Sequence, residues 1–183
     1  MDEKTVRLII TKYLSETGAR FTVQKEKEAG PDFLMDGVAL ETKGNSFDTK
    51  HALDQFTKYA FKYAGLQIAL PIGALSIDFL YSLYVLECIV KKRTPVKPRL
   101  IKTYLICKSN ENEYRIESFE SIDTLLNHIK ETIYREVVPA FKADEALMND
   151  AIETGSDINK AIKKLLEREA ISIGRKVVLE KKS

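Results

Sequence analysis

Three charged side chains stand among apolar neighbours: Asp32, then Glu41, then Lys43 two residues further on. Between the carboxylates, Phe33-Leu34-Met35 and Val38-Ala39-Leu40 flank Asp36-Gly37. Asp-Gly between two apolar runs marks a two-residue β-hairpin, because both turn residues must take positive φ. With that turn, Met35 faces Val38, Leu34 faces Ala39, Phe33 faces Leu40 and Asp32 faces Glu41. The two carboxylates then lie directly opposite, with Cβ atoms roughly 5 Å apart. Lys43 leaves the same face of the strand as Glu41. Opposed like charges are destabilising unless something neutralises them. Lys43 supplies one positive charge, and a divalent cation would supply the rest. Mg²⁺ suits such a place: one or two carboxylates, with water and phosphate oxygens at about 2.0–2.1 Å. A cation so held polarises a phosphoryl oxygen, lowers the pKa of water and stabilises the leaving oxygen. A neighbouring lysine orients that water or steadies the phosphate in its transition state. The pattern therefore predicts metal-assisted phosphodiester hydrolysis. The bland alternative is a salt-bridge network on an exposed sheet face, and the apolar flanks argue instead for a central hairpin.

The flanking elements must hold this hairpin in place. Residues 4–16 carry Val6, Ile9, Ile10, Tyr13 and Leu14 at helical spacing, and Gly18 stops the helix. Residues 19–24 alternate like a short strand, and Ala29-Gly30-Pro31 is a turn. After Gly44, residues 48–64 form a helix with Leu53, Phe56, Tyr59, Ala60 and Tyr63 on one side, followed by a buried strand over 66–70 closed by Pro71. Residues 77–90 read as a buried helix, although their β-branched and aromatic content leaves a strand open. The basic stretch 91–99, with Pro95 and Pro98, reads as a loop. A second hairpin joins 101–108 to 114–119, and Ser121 caps a helix running to about 138. Ile158, Ala161, Ile162, Leu165 and Leu166 are helically spaced ahead of a basic tail. The expectation is an α/β fold, a mixed central sheet flanked by helices. Residues 1–138 make one domain with its core at 4–71, and 139–183 are a helical C-terminal extension packed on it.

The chain's 183 residues suit one domain with a full hydrophobic core, and 44% hydrophobic with 31% charged residues describe a well-solvated globular chain. A net charge of +2, from 29 basic and 27 acidic side chains, neither supports nor excludes nucleic-acid binding. Cys88 and Cys107 fit no zinc spacing and are too few for an iron–sulfur cluster; they read as two thiols in a reducing compartment. The most apolar stretch, 66–86, is broken by Gln67, Pro71, Gly73, Ser76, Asp78 and Ser82, so no membrane span is expected. No N-terminal targeting pattern is visible, and the reading is cytoplasmic.

Pro31-Asp32 followed, after a hairpin, by Glu41-Thr42-Lys43 resembles the PD-(D/E)XK nuclease superfamily. That superfamily, of restriction-endonuclease-like fold, includes restriction endonucleases, archaeal Holliday junction resolvases and RecB-type nucleases. The likeness covers the core order helix, strand, hairpin, helix, strand over 4–71. It implies metal ligation by Asp32, Glu41 and the Thr42 carbonyl, with Mg²⁺ or Mn²⁺ as cofactor and DNA as partner. It implies that Lys43 contacts the attacking water or the scissile phosphate. Gln55-Phe56-Thr57-Lys58-Tyr59 resembles the Gln-x-x-x-Tyr element of RecB-type enzymes, where the glutamine faces the metal and the tyrosine approaches the DNA backbone. Glu3 would correspond to an acidic ligand that some members add from the first helix. Many members form dimers or rings, which leaves a homo-oligomer open.

Other residues carry two readings. Lys58 and Lys62, with Lys50, recur along the helix after the motif and would meet phosphates, or simply form its solvated face. Lys91, Lys92 and Arg93, with Lys97, Arg99 and Lys102 nearby, form the densest basic cluster, a DNA-holding loop if near the cleft. His51 and His128 read as solvated side chains, and Arg175, Lys176, Lys181 and Lys182 as a solubilising tail. The expected function is a metal-dependent deoxyribonuclease of DNA repair, recombination or processing. Its rivals are a catalytically silent DNA-binding or partner subunit of the same fold, a structural protein with incidental charges and, within the nucleases, a Holliday junction resolvase or restriction-like endonuclease.

Overall fold

The computed structural model describes residues 1–25, 29–93, 99–132, 135 and 157–180. The Asp36-Gly37 turn closes as its residue types require, with φ of 46° and 81°. It joins β2 (Phe33–Met35) to antiparallel β3 (Val38–Thr42), paired Phe33 to Leu40, Leu34 to Ala39 and Met35 to Val38. Outside β2 lies β1, which shrinks from the expected 19–24 to Thr22–Val23. Ala19 and Phe21 pack against the core without joining the ladder, and both residues of β1 are exposed at the sheet edge.

The long α/β connections lie on the other side of β3. Helix α2 (Thr49–Lys62) carries the chain to β4 (Gly65–Pro71), parallel to β3, and α3 (Ile77–Arg93) carries it to β5 (Ile101–Lys108), parallel to β4. Asp48 caps α2 by accepting the His51 N–H at 2.9 Å. Antiparallel β6 (Glu113–Phe119) follows, then α4 (Ile122–Thr132), capped by Ser121, whose Oγ accepts the Thr124 N–H at 3.0 Å. The expected continuation of α4 to about 138 falls, save residue 135, outside the described residues. Helix α5 (Asp157–Ile173) precedes β7 (Arg175–Val178), which pairs antiparallel with β6. The seven strands stand in the sheet in chain order, making a mixed α/β sheet.

Two hydrophobic layers fix which face each side chain sees. Val6, Ile9, Ile10 and Leu14 of α1 (Glu3–Glu16) pack on Phe33, Leu40, Ala69 and Ile106. The opposite face, Ala39, Leu66, Ile68 and Leu105, meets Phe56 of α2, Leu83 of α3, Leu125 of α4 and Leu166 of α5. Among the described residues, no helix is long and apolar enough to cross a membrane.

Two sequence expectations are corrected. Residues 77–90 are helical, and the helix continues through Lys91, Lys92 and Arg93, which form its last turn rather than a loop. Three cations at a helix C-terminus complement the helix dipole there; Pro95, Lys97 and Pro98 lie outside the described residues. The basic tail contains strand β7, whose one buried residue, Val177, is too weak an alternation to announce it. Lys176 pairs with Glu113 at 2.5 Å, and Arg175 lies 5.6 Å over the Tyr13 ring. Lys181 and Lys182 fall outside the described residues.

Candidate active site

The carboxyl ends of parallel strands are where open α/β sheets present their functional groups, and β3 ends at Thr42. The ladder continues one residue further, the Lys43 N–H donating to the Ala69 carbonyl at 3.0 Å. Alternation sends Ala39 and Glu41 toward α2 and Leu40 toward α1. Gly44 then lets the start of α1 close in: a Cβ there would lie 2.7 Å from the Glu3 backbone nitrogen. Glu3 reaches the site for that reason. It lines a cleft of about 460 Å³ together with Arg7, Asp32, Glu41, Lys43 and Gln55.

Glu41 and Lys43 are buried, at 3% and 8% exposure. The Lys43 ammonium donates to Glu41 Oε1 at 2.8 Å and to Gln55 Oε1 at 2.9 Å. The Gln55 amide in turn donates to the Tyr59 hydroxyl at 3.1 Å, one helical turn along α2. Asp32 sits one residue before β2, and its N–H donates to Glu41 Oε2 at 3.2 Å. Its Oδ2 accepts from the Thr42 N–H at 2.8 Å and the Thr42 hydroxyl at 2.5 Å. Its Oδ1 pairs with Arg7 at 3.0 Å. Burial, then the charge of Asp32, push Glu41 up to about 7 against the opposing pull of Lys43. Burial likewise raises the Tyr59 phenol.

The structure thus brings Asp32, Glu41, Thr42, Lys43, Gln55 and Tyr59 into one connected set, with Glu3 at its rim. Thr42 is fully buried, and its N–H and hydroxyl position Asp32. His51 also lines the cleft. Lys58 and Lys62 share the helical stripe of His51 and Gln55 by spacing, are exposed, and lead away from the cleft. Lys91, Lys92 and Arg93 are not brought to it. Arg93 stacks on Phe61 of the last turn of α2 at 5.3 Å, at the opposite end of the parallel strands. Helix α3 alone, 17 residues long, separates them from its start by roughly 25 Å.

Sequence reading missed Arg7 and Gln24. Arg7 lies one helical turn after Glu3, a spacing that would have placed both on one face. Besides pairing with Asp32, Arg7 donates to the Gln24 carbonyl, and the Gln24 N–H donates to the Asp32 carbonyl at 2.9 Å. Sequence reading also left His128 without company, whereas its Nε2 lies 2.7 Å from Glu169 Oε2.

No protein-family model matches this sequence, and no curated protein matches it at a significant level.

Proposed function

We propose that this chain is a Mg²⁺- or Mn²⁺-dependent deoxyribonuclease whose sheet is a form of the restriction-endonuclease-like core. The observation that carries the reading is the hydrogen-bond chain from buried Glu41 and Lys43 to half-buried Gln55, which opens with Asp32 on one polar cleft. A salt bridge kept for stability alone would neutralise its carboxylate. Here burial and the Asp32 charge outweigh Lys43 and push Glu41 up to about 7, so further positive charge beside it would favour its ionised form.

The donor set fits a hard divalent cation. Two carboxylates, Asp32 just before β2 and Glu41 on β3, present oxygens to a cleft that has space for water and phosphate. Asp32 Oδ2 is oriented by Thr42, and Oδ1, now paired with Arg7, would be free to bind a cation once Arg7 turned to a substrate phosphate. A cation bound there supplies Lewis acidity toward a phosphoryl oxygen and a more acidic water. Glu41 must be ionised to hold it, so affinity and rate rise with pH through about 7. Lys43 donates to the attacking water or a non-bridging phosphate oxygen, and Gln55 Oε1 keeps its ammonium aimed. Arg7, freed from Asp32, offers its guanidinium to the phosphate backbone.

The reading is tested by incubating purified chain with linear, circular, single-stranded and four-way-junction DNA, with Mg²⁺, Mn²⁺ or EDTA. Cleavage is expected with either metal and not with EDTA. Glu41→Gln and Lys43→Met should each lower it by about a hundred- to a thousandfold, the scale on which preorganised charge acts. Undiminished cleavage in EDTA, or wild-type rates from both variants, would overturn the assignment. A silent DNA-holding subunit would bind these substrates and cut none.

A further inference from the structure

Three ligand-type side chains from three separate elements meet on the α4–α5 part of the sheet's helical face: Glu117 on β6, His128 on α4 and Glu169 on α5. One atom from each lies within 4.8 Å of the others, and His128 Nε2 is 2.7 Å from Glu169 Oε2. We propose that these residues form a second site, for a divalent transition-metal ion of the Zn²⁺ class, that clamps α5 to α4 and to the sheet.

The donor set and its support carry this proposal. An imidazole beside two carboxylates favours transition metals over Mg²⁺ and Ca²⁺, which prefer all-oxygen shells. Tetrahedral Zn²⁺, with bonds near 2.0–2.2 Å, needs ligand atoms roughly 3.4 Å apart. The 2.7 Å contact must open slightly and the 4.8 Å limit must close by about as much as a side-chain rotation allows. The imidazole is already oriented: its ring packs on Phe119, with centroids 5.3 Å apart. Arg115 shares the strand face of Glu117 but is taken by Glu113 and by the Gly174 carbonyl. The site is half-open, with His128 and Glu169 side chains 25% and 22% exposed, so water can fill the fourth position. Beneath it, α5 is held to the core by Ile162, Leu166 and Ala170. A metal above those residues would tie the same helix on its polar side.

The site is independent of the cleft, because β6 stands three strands from β3, roughly 14 Å across the sheet. The test is a Zn²⁺ titration of chelator-stripped full chain by calorimetry, with melting temperature read in parallel. Wild type and Asp32→Asn should both bind one ion at this site and melt higher with Zn²⁺, whereas Mg²⁺ should not raise the melting temperature of Asp32→Asn, in which the cleft has lost a carboxylate. His128→Gln and Glu169→Gln should weaken that binding at least about tenfold, since loss of even an outer-shell partner costs that much, and should lose the thermal shift. Far-UV dichroism of the metal-free variants checks that they fold. If His128→Gln does not, Glu117→Gln decides in the same titration. Zn²⁺ binding undiminished when His128→Gln or Glu169→Gln is added to Asp32→Asn, binding lost in Asp32→Asn alone, or no Zn²⁺-dependent rise in Asp32→Asn would each overturn the proposal.

Discussion

Glu41 and Glu87 are buried to the same degree, at 3% and 2% exposure, yet they meet opposite surroundings. Glu87, inside α3, accepts backbone N–H bonds from Ile101 at 2.8 Å, Ile122 at 2.9 Å and Asp123 at 3.2 Å. Two of those donors open α4 and the third opens β5, so one carboxylate satisfies groups that would otherwise be orphaned. Glu41 accepts one backbone N–H, from Asp32, and otherwise faces Lys43, the Asp32 charge and an open cleft. Fixed dipoles aimed at a carboxylate make it part of the scaffold. A neighbouring like charge and space for a ligand leave it available for chemistry. Burial alone does not separate the two cases; the partners do.

The comparison breaks most visibly in stability. Glu87→Ala leaves the two buried N–H groups of Ile101 and Ile122 without an acceptor, each costing about 1–3 kcal/mol, and frees the more exposed Asp123 N–H. We expect a loss of about 3–5 kcal/mol in urea unfolding, with cleavage by the remaining folded protein little changed at low temperature. A loss under 1 kcal/mol would show that water or rearrangement replaces the carboxylate easily.

The next effect is on pH dependence. Burial and Asp32 raise Glu41 from 4.5 to about 7, so between those values the folded chain holds a proton that the unfolded chain has released. Metal-free stability should therefore fall as pH rises through that window, by at most about 3 kcal/mol. Glu41→Gln should remove this slope, so the stability difference between variant and wild type should shift in the variant's favour from pH 5 to pH 8. Parallel melting curves across that range would place Glu41 with Glu87 as scaffold.

Smaller still is the contribution of the amide that aims Lys43. Gln55→Ala should slow cleavage by about ten- to a hundredfold at saturating DNA, the scale of lost positioning. Tyr59→Phe should alter DNA affinity more than rate. Normal turnover by Gln55→Ala would leave Lys43 aimed by Glu41 alone and remove the support for a RecB-type affiliation.

The least effect should come from the distant basic turn. Neutralising Lys91, Lys92 and Arg93 together should leave the salt dependence of DNA binding unchanged. Neutralising Lys4, which lines the cleft, and Lys58, on the exposed stripe of α2 that leads from it, should flatten log K against log salt by about 0.9 for each phosphate that no longer meets a cation. The reverse result would move the DNA path to the far end of the sheet.

Where structure depends on near neighbours in the chain, the sequence sufficed. Asp36-Gly37 dictated the turn, and its register set Phe33 against Leu40 and brought Asp32 and Glu41 together. Helical spacing likewise put Gln55 and Tyr59 on one face of α2. What spacing does not encode is the meeting of distant elements. Arg7 reaches Asp32 because Gly44 admits the start of α1, and Glu87 caps a helix that begins thirty-five residues later. Glu117, His128 and Glu169 meet only because β6, α4 and α5 pack together. The basic run 91–93 looked important as a local density of charge, but its distance from Glu41 was decided by the length and direction of α3. Local dihedral preferences and periodicity act within a few residues and leave a trace in the sequence, whereas the partners of a buried charge are chosen by packing across the whole sheet.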